Sequence, residues 1–308
     1  MTKVFIDGSA GTTGLRIRER LAGRQDLELI TLPEEKRKDP SARAEALNTA
    51  AVSFLCLPDD AAWEAVSLVT SPDAVIIDTS TAHRTADGWT YGFPELKGLR
   101  EKIASSRRIA NPGCHASGFV SLVAPLVQAG LLNADVRLSC FSLTGYSGGG
   151  KKMIAAYEAE NAPDLFRAPR QYALGQTHKH LPEMAAVCGL RHAPVFCPIV
   201  APYYAGMEVT VPLTPADTSA APEEIRQVYR EYYTSGLVRF SESPDEDGFL
   251  SAGAFAGRDD MEVSVYGTPE RILLVSRFDN LGKGASGAAI QNMNLALGMD
   301  ESFGLVKG

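Results

Sequence analysis

The chain opens on Lys3-Val4-Phe5-Ile6-Asp7, a short β-branched and aromatic run. Gly8-Ser9-Ala10-Gly11-Thr12-Thr13-Gly14 follows at once, and Leu15-Arg16-Ile17-Arg18-Glu19-Arg20-Leu21 then carries apolar residues at helical spacing. Strand, glycine turn and helix in that order constrain the fold more than any other stretch, because they begin a parallel sheet with a crossover helix. Such a turn lets the backbone approach a pyrophosphate, and the helix N-terminus attracts its charge. The spacing is G-x-x-G-x-x-G rather than G-x-G-x-x-G, and a plain glycine loop is the competing reading. Context favours the first. Residues 27–32 read as a second strand, 51–57 as the next and 74–78 as another. Apolar, two-sided runs such as the last two suit a parallel sheet covered on both faces.

The end of the second strand speaks to the cofactor. An acid there would hold ribose hydroxyls, but the strand ends Thr31-Leu32-Pro33 and is followed by Lys36-Arg37-Lys38. That basic cluster welcomes a 2′-phosphate, so NADP is expected over NAD. Glu34 and Glu35 accompany the cluster, which is also how a solvated loop looks, and Glu28 falls mid-strand. Two further loops leave strands at the edge where ligands collect: Leu57-Pro58-Asp59-Asp60, and Asp78-Thr79-Ser80-Thr81-Ala82-His83-Arg84. Arg84 is suited to a substrate anion; a capped surface turn is the bland alternative.

Ala110-Asn111-Pro112-Gly113-Cys114-His115 precedes a run that reads as a buried helix from Ala116 to Gln128. Pro112 pushes Asn111 into an extended conformation and Gly113 permits a tight turn. The turn delivers Cys114 to a helix N-terminus, where unpaired backbone N–H groups favour a thiolate, the nucleophilic form. Cys56, Cys140, Cys188 and Cys197 sit in apolar or strand-like runs, where inert cysteines belong.

Beyond this helix strands dominate, at residues 135–143, 207–213, 261–266 and 271–278. They describe an α+β region, one face of which is suited to pairing with a second subunit. Inside it lie Thr144-Gly145-Tyr146-Ser147-Gly148-Gly149-Gly150-Lys151-Lys152 and Thr177-His178-Lys179-His180-Leu181-Pro182-Glu183. In an extended segment His178 and His180 point to the same side, and a histidine near a thiolate serves as general acid and base. Metal binding by the pair is disfavoured, since no second Cys/His cluster supplies the remaining ligands. A second glycine-rich helix entry, 279–294, reads as the chain returning to the first domain.

Composition narrows the classes. At 308 residues the chain suits two domains. A net charge of −7 argues against nucleic acid. Five cysteines without paired spacing suggest a reducing compartment. The opening strand carries Asp7 and shows no secretory pattern, and the longest uncharged stretch, 193–207, holds Pro194, Pro198 and Pro202, so no membrane span is expected there. A cytoplasmic protein is expected.

The glycine turn at 8–14, Asn111-Pro112-Gly113-Cys114, Gly145-Tyr146-Ser147-Gly148-Gly149-Gly150-Lys151, His178-Lys179-His180-Leu181-Pro182-Glu183 and Asn280-Leu281-Gly282-Lys283-Gly284-Ala285-Ser286-Gly287 together resemble the N-acetyl-γ-glutamyl-phosphate reductase family, its shorter second type more closely. These motifs span nearly the whole chain in the family's order. The resemblance implies an α/β Rossmann-like NADP-binding domain over 1–115, completed by a C-terminal helix around 283–308. It also implies an α+β catalytic and dimerisation domain over 116–282, on the plan of aspartate-semialdehyde and glyceraldehyde-3-phosphate dehydrogenases. It carries over Cys114 as nucleophile and His178 or His180 as the acid-base group. Gly8, Ser9, Gly11, Thr12, Thr13, Gly14, Lys36, Arg37, Ser80, Gly284 and Ser286 are expected at the cofactor. Arg84, Asn111 and Glu183 are expected at the substrate, with no metal and a homodimer or homotetramer as the assembly.

The chemistry then expected is attack of Cys114 on an acyl phosphate, reduction of the thioester by NADPH, and release of an aldehyde for arginine biosynthesis. An aspartate-semialdehyde dehydrogenase-like reductase of another acyl phosphate is the nearest alternative. A cysteine hydrolase would need no NADPH, and a cofactor sensor would bind without turnover.

Overall fold

The computed structural model describes residues 1–9 and 11–308; Ala10, inside the glycine turn, lies outside the described residues. The chain divides into two compact units. The first comprises Met1–Pro94, Gly98–Pro112 and Ala285–Leu305; the second comprises Glu95–Lys97, Gly113–Gly284 and Val306–Gly308.

The first unit runs β1 (Thr2–Asp7), α1 (Thr12–Leu21), β2 (Leu27–Ile30), α2 (Pro40–Thr49), β3 (Val52–Leu55), α3 (Asp59–Ser67), β4 (Val75–Asp78), β5 (Thr90–Tyr91), α4 (Leu99–Ser105) and β6 (Arg108–Ala110). Its six strands lie in the order β2-β1-β3-β4-β6-β5, every pair parallel. Period-two alternation explains how so short a sheet buries both faces. Val4, Ile6, Val52, Phe54, Val75 and Ile77 point to one side, where Ile17, Leu21 and Ile103 from α1 and α4 cover them. Phe5, Leu55 and Ile76 point to the other, under Leu47, Ala62 and Ala65 of α2 and α3. The second strand is shorter than expected: it stops at Ile30, and a 3-10 turn, Glu34–Lys36, separates it from α2. Pro33 and Pro40 bracket that turn, and neither can donate to a ladder.

The second unit begins with α5 (Cys114–Gln128) and continues β7 (Ser139–Gly145), α6 (Gly150–Glu158), β8 (Arg170–Gln171), α7 (Leu181–Cys188), β9 (Val195–Ala201), β10 (Met207–Leu213), α8 (Pro222–Tyr232), β11 (Val238–Phe240), β12 (Met261–Thr268) and β13 (Arg271–Phe278). Seven strands form one mixed sheet in the order β11-β12-β13-β10-β7-β9-β8. On one face lies α5, whose Gly118 passes so close to Val209 that a Cβ there would overlap it. Tyr229 and Tyr233, at the end of α8, donate hydroxyl hydrogen bonds of 2.6 and 2.5 Å to the Leu122 and Ser121 carbonyls of α5. The opposite face presents Val195, Phe141 and Leu273 at 58, 44 and 43% exposure.

One expectation is corrected here. The helix after the cysteine turn starts at Cys114 rather than Ala116, with Gly113 as its extended N-cap. The proline-interrupted stretch 193–207 contains β9, which pairs with β7 and β8; Pro198 is accommodated within the strand and its carbonyl accepts the Tyr172 N–H at 3.0 Å. Among the described residues no helix is long and apolar enough to cross a membrane.

The chain ends with α9 (Gly287–Ala296), which belongs to the first unit, where Ala289, Ile290 and Met293 join the core beside α1 and α4.

Candidate active site

In the second unit Cys114 is the first residue of α5 and is partly exposed. It meets the open backbone N–H groups of a fifteen-residue helix, whose dipole favours an anion. The Gly113 N–H is already engaged: it donates to Glu183 Oε1 at 2.9 Å, and Glu183 is 1% exposed in α7. Glu183, expected at the substrate, thus pins the turn that presents Cys114. From the other side, a Cβ on Gly284 would lie 3.0 Å from Cys114 Cβ and 3.1 Å from the Asp279 carbonyl oxygen. Glycine at 284 lets the backbone run close against the cysteine, where a Cβ would require its neighbours to give by a few tenths of an ångström. Burial pushes the Cys56 thiol up to about 12 and raises Cys140 and Cys188 as well, so these three stay protonated.

Three imidazoles gather beside α5. His178 and His180 stand edge to face with ring centres 4.7 Å apart, and His115 lies 5.7 and 5.6 Å from them. The pair meets through a turn rather than an extended strand, His180 being the αR N-cap of α7. The His180 backbone N–H donates to His178 Nδ1 at 3.2 Å, which leaves the proton of a neutral His178 on Nε2. His178 is half-buried and His180 is buried.

His115 was not singled out by the sequence. It is 3% exposed, with Nδ1 2.7 Å from Ser142 Oγ and Nε2 2.6 Å from the Tyr172 hydroxyl. Burial, helped by the neighbouring His178 charge, pushes it down to about 3, so it is neutral. Nothing in the sequence separates His115 from any buried helical histidine; the strand pairings that bring Ser142 and Tyr172 to it are long-range. Among the described residues no three His, Cys, Asp or Glu side chains converge as metal ligands do.

The first unit builds a separate cavity of about 240 Å³ at the carboxyl ends of β1 and β2. Asp7, Gly8, Ser9 and Leu57 line it on one side, Leu29 to Leu32 on another, and Arg18, Arg37 and Lys38 supply positive charge. Gly8 has φ +85, and a Cβ there would overlap the Cys56 carbonyl, so the turn requires glycine. Gly11 is the N-cap of α1 with no side-chain cap, Thr12 and Thr13 are its first turn, and Gly14 packs on the Gly8 carbonyl. An uncapped helix start, a backbone no Cβ can screen and three cations fit a phosphorylated dinucleotide. Arg18 was missed, since nothing in the sequence separates it from Arg16 and Arg20 on the same helix. Lys36 stays in the 3-10 turn and is not among the lining residues.

The loop after β4 is braced internally. Ser80 donates through N–H and hydroxyl to Asp78, at 2.9 and 2.7 Å, and Thr81 donates to Asp59. Asp78 Oδ2 also takes His83 Nδ1 at 2.6 Å, with His83 between Trp63 and Trp89 at 4.1 and 4.0 Å. Arg84 donates to the carbonyls of Asn111 and Thr79. Asn111, 1% exposed, donates to the Ala285 carbonyl and accepts from Asn292. Ser286 is buried at the start of α9.

Comparison with known proteins agrees with this division. The semialdehyde dehydrogenase NAD-binding domain matches residues 3–106, and the semialdehyde dehydrogenase dimerisation domain matches 114–280. Aspartate semialdehyde dehydrogenase II from Vibrio cholerae shares the fold at TM-score 0.71 and 17% identity, over 96% of this chain and 98% of that one. The enzyme from Francisella tularensis does so at TM-score 0.71 and 13% identity, over 96 and 99%. Proteins named N-acetyl-gamma-glutamyl-phosphate reductase are far nearer in sequence: 47% identical in Brucella ovis over 96% of this chain and 99% of that protein. The Nostoc and Pseudomonas putida proteins named N-acetyl-gamma-glutamyl-phosphate reductase 2 are each 45% identical, over 98% of this chain and 99 and 98% of theirs. The chain belongs to the N-acetyl-gamma-glutamyl-phosphate reductase family, an oxidoreductase family built from semialdehyde dehydrogenase domains.

Proposed function

We propose that this protein reduces N-acetyl-γ-glutamyl phosphate to N-acetylglutamate 5-semialdehyde with release of phosphate, using NADPH, in arginine biosynthesis. The observation that carries the reading is the Cys114 thiol at the first position of α5, against Gly284 and beside a histidine cluster. The Cys114 thiolate attacks the acyl carbon, the carbon–oxygen bond to phosphate breaks, and a thioester remains. When bound, the nicotinamide supplies the hydride that reduces this thioester. Backbone N–H groups in the first turn of α5 hold the oxyanion. One of His178 and His180 gives the proton to that oxygen and takes it back as the carbon–sulfur bond breaks and the aldehyde leaves.

The first unit serves as the cofactor domain and the second, which holds Cys114 and His115, as the catalytic and dimerisation domain, so the boundaries expected at 115/116 and 282/283 move to 112/113 and 284/285. Arg18, Arg37 and Lys38 are the groups that select NADP over NAD, with the turn at 8–14 on the pyrophosphate. Ser80, Gly284 and Ser286 complete the cofactor contacts. Arg84, Asn111 and Glu183 act by fixing the loops that carry the substrate groups. The exposed sheet face of Phe141, Val195 and Leu273 pairs two copies in a cytoplasmic homo-oligomer. Aspartate-semialdehyde chemistry, which shares the plan, is disfavoured by the much closer kinship to the reductases.

The test is oxidation of N-acetylglutamate 5-semialdehyde by NADP with phosphate, run beside aspartate semialdehyde. Faster turnover of the aspartate compound, or none of either, contradicts the proposal.

A further inference from the structure

Ser142, His115 and Tyr172 are three polar side chains in a row, and their protons can be assigned. His115 is neutral, so its ring carries one N–H and one bare nitrogen. Its two neighbours are hydroxyls, Ser142 Oγ at Nδ1 and Tyr172 Oη at Nε2. In one arrangement Nδ1–H donates to Ser142 and the Tyr172 O–H donates to Nε2. In the other, Ser142 donates to Nδ1 and Nε2–H donates to Tyr172.

Burial decides between them. Ser142 is 0% exposed, and among the described residues His115 Nδ1 is the hydrogen-bond partner of its Oγ. In the first arrangement its hydroxyl proton would be buried without an acceptor, at the full desolvation cost of a donor. The second arrangement satisfies Ser142. It also turns the Tyr172 proton away from His115. Tyr172 is partly exposed and its N–H is fixed on the Pro198 carbonyl; burial first, and then the Cys114 charge, push its hydroxyl above the ordinary phenol range, so it keeps its proton.

We propose that Ser142 and His115 are positioning residues that fix the Tyr172 hydroxyl as a donor toward the negative charge at Cys114, on the thiolate first and on the oxygen of the bound acyl group afterwards. The role on the acyl oxygen rests on the reductase reading; the role on the thiolate does not. The titratable groups facing this point are His115 of α5, His178 and His180 from the turn before α7, and Glu183 of α7. None of them is altered by the substitutions below.

The experiment measures the rate of iodoacetamide alkylation of Cys114 against pH in the full chain, without cofactor or substrate, with the modified peptide identified by mass. Tyr172→Phe should move the alkylation midpoint up by about one pH unit, slowing the reaction about 10-fold below the midpoint. Ser142→Ala keeps the tyrosine hydroxyl, yet it frees His115 to take the other tautomer and draw in the tyrosine proton. It should therefore shift the midpoint in the same direction, and the double variant should shift it no further than the larger single one. Midpoints unchanged in both folded single variants overturn the proposal, and so does a shift in Tyr172→Phe with none in Ser142→Ala. Because the assay uses no acyl phosphate, its failure leaves the reductase reading standing. Failure of the reductase assay likewise leaves the alkylation result intact.

Discussion

Glu183 Oε1 accepts the Gly113 N–H at 2.9 Å, so a carboxylate from α7 holds the residue immediately before Cys114. Removing that acceptor strands a buried donor, which costs roughly 1–3 kcal/mol. Glu183→Ala should lower the unfolding free energy by that amount and reduce turnover, because the α5 turn loses its brace. Glu183→Gln keeps an acceptor oxygen and should lose much less. Denaturant unfolding and initial rates on the two variants check this; an alanine variant as stable and active as the parent would remove Glu183 from the account.

The cavity at the ends of β1 and β2 ranks its cations: Arg18, Arg37 and Lys38 line it, while Lys36 stands aside. Arg18→Ala and Arg37→Ala should each weaken NADPH binding by roughly 10-fold, through the loss of a charge-assisted phosphate contact. NADH binding should hardly change, and Lys36→Ala should leave both cofactors near their starting affinities. Calorimetric titration gives the comparison. Equal losses for NADPH and NADH would place the arginines elsewhere in recognition.

His115 makes a pH prediction whose sign follows from its depressed value. Folding lowers it from 6.5 to about 3, so below pH 6.5 the unfolded chain binds a proton that the folded chain does not. Stability from this group is complete above 6.5 and falls as pH drops toward 3, by up to about 1.4 kcal/mol per unit. His115→Gln should flatten that part of the stability–pH curve relative to the parent. Parallel curves between pH 6.5 and 4 would mean the imidazole is charged in the fold.

The first unit was legible because its signals are local. Val4 to Asp7, the turn from Gly8 and the helix to Leu21 are contiguous, and Phe54-Leu55 and Ile76-Ile77 alternate between two buried faces. The position of Cys114 at a helix start was legible for the same reason, the turn and the helix start being neighbours in sequence. What failed was long-range. Tyr172 and Ser142 reach His115 only because β8, β9 and β7 are adjacent, and no spacing rule links positions 115, 142 and 172. His178 and His180 were paired correctly for the wrong reason, since a turn and not an extended segment brings their rings together.

That turn bears on which imidazole moves the proton. The one that does should, when replaced by Asn, lose roughly 10²–10⁴-fold in turnover with modest change in substrate binding. His178→Asn and His180→Asn are to be compared under single-turnover conditions. Near-parental rates in both would return the pair to a structural role.

The central claim is a covalent acyl group on Cys114, and it is tested most directly without reductant. Mixed with N-acetyl-γ-glutamyl phosphate alone, the protein should release one equivalent of phosphate in a burst. Its mass should rise by one acyl group, located on the Cys114 peptide, and added NADPH should discharge it as the aldehyde. Cys114→Ser should show neither burst nor adduct while still binding NADPH. A burst that persists in Cys114→Ser, or a parent protein that turns over with no acyl group on Cys114, would contradict the account.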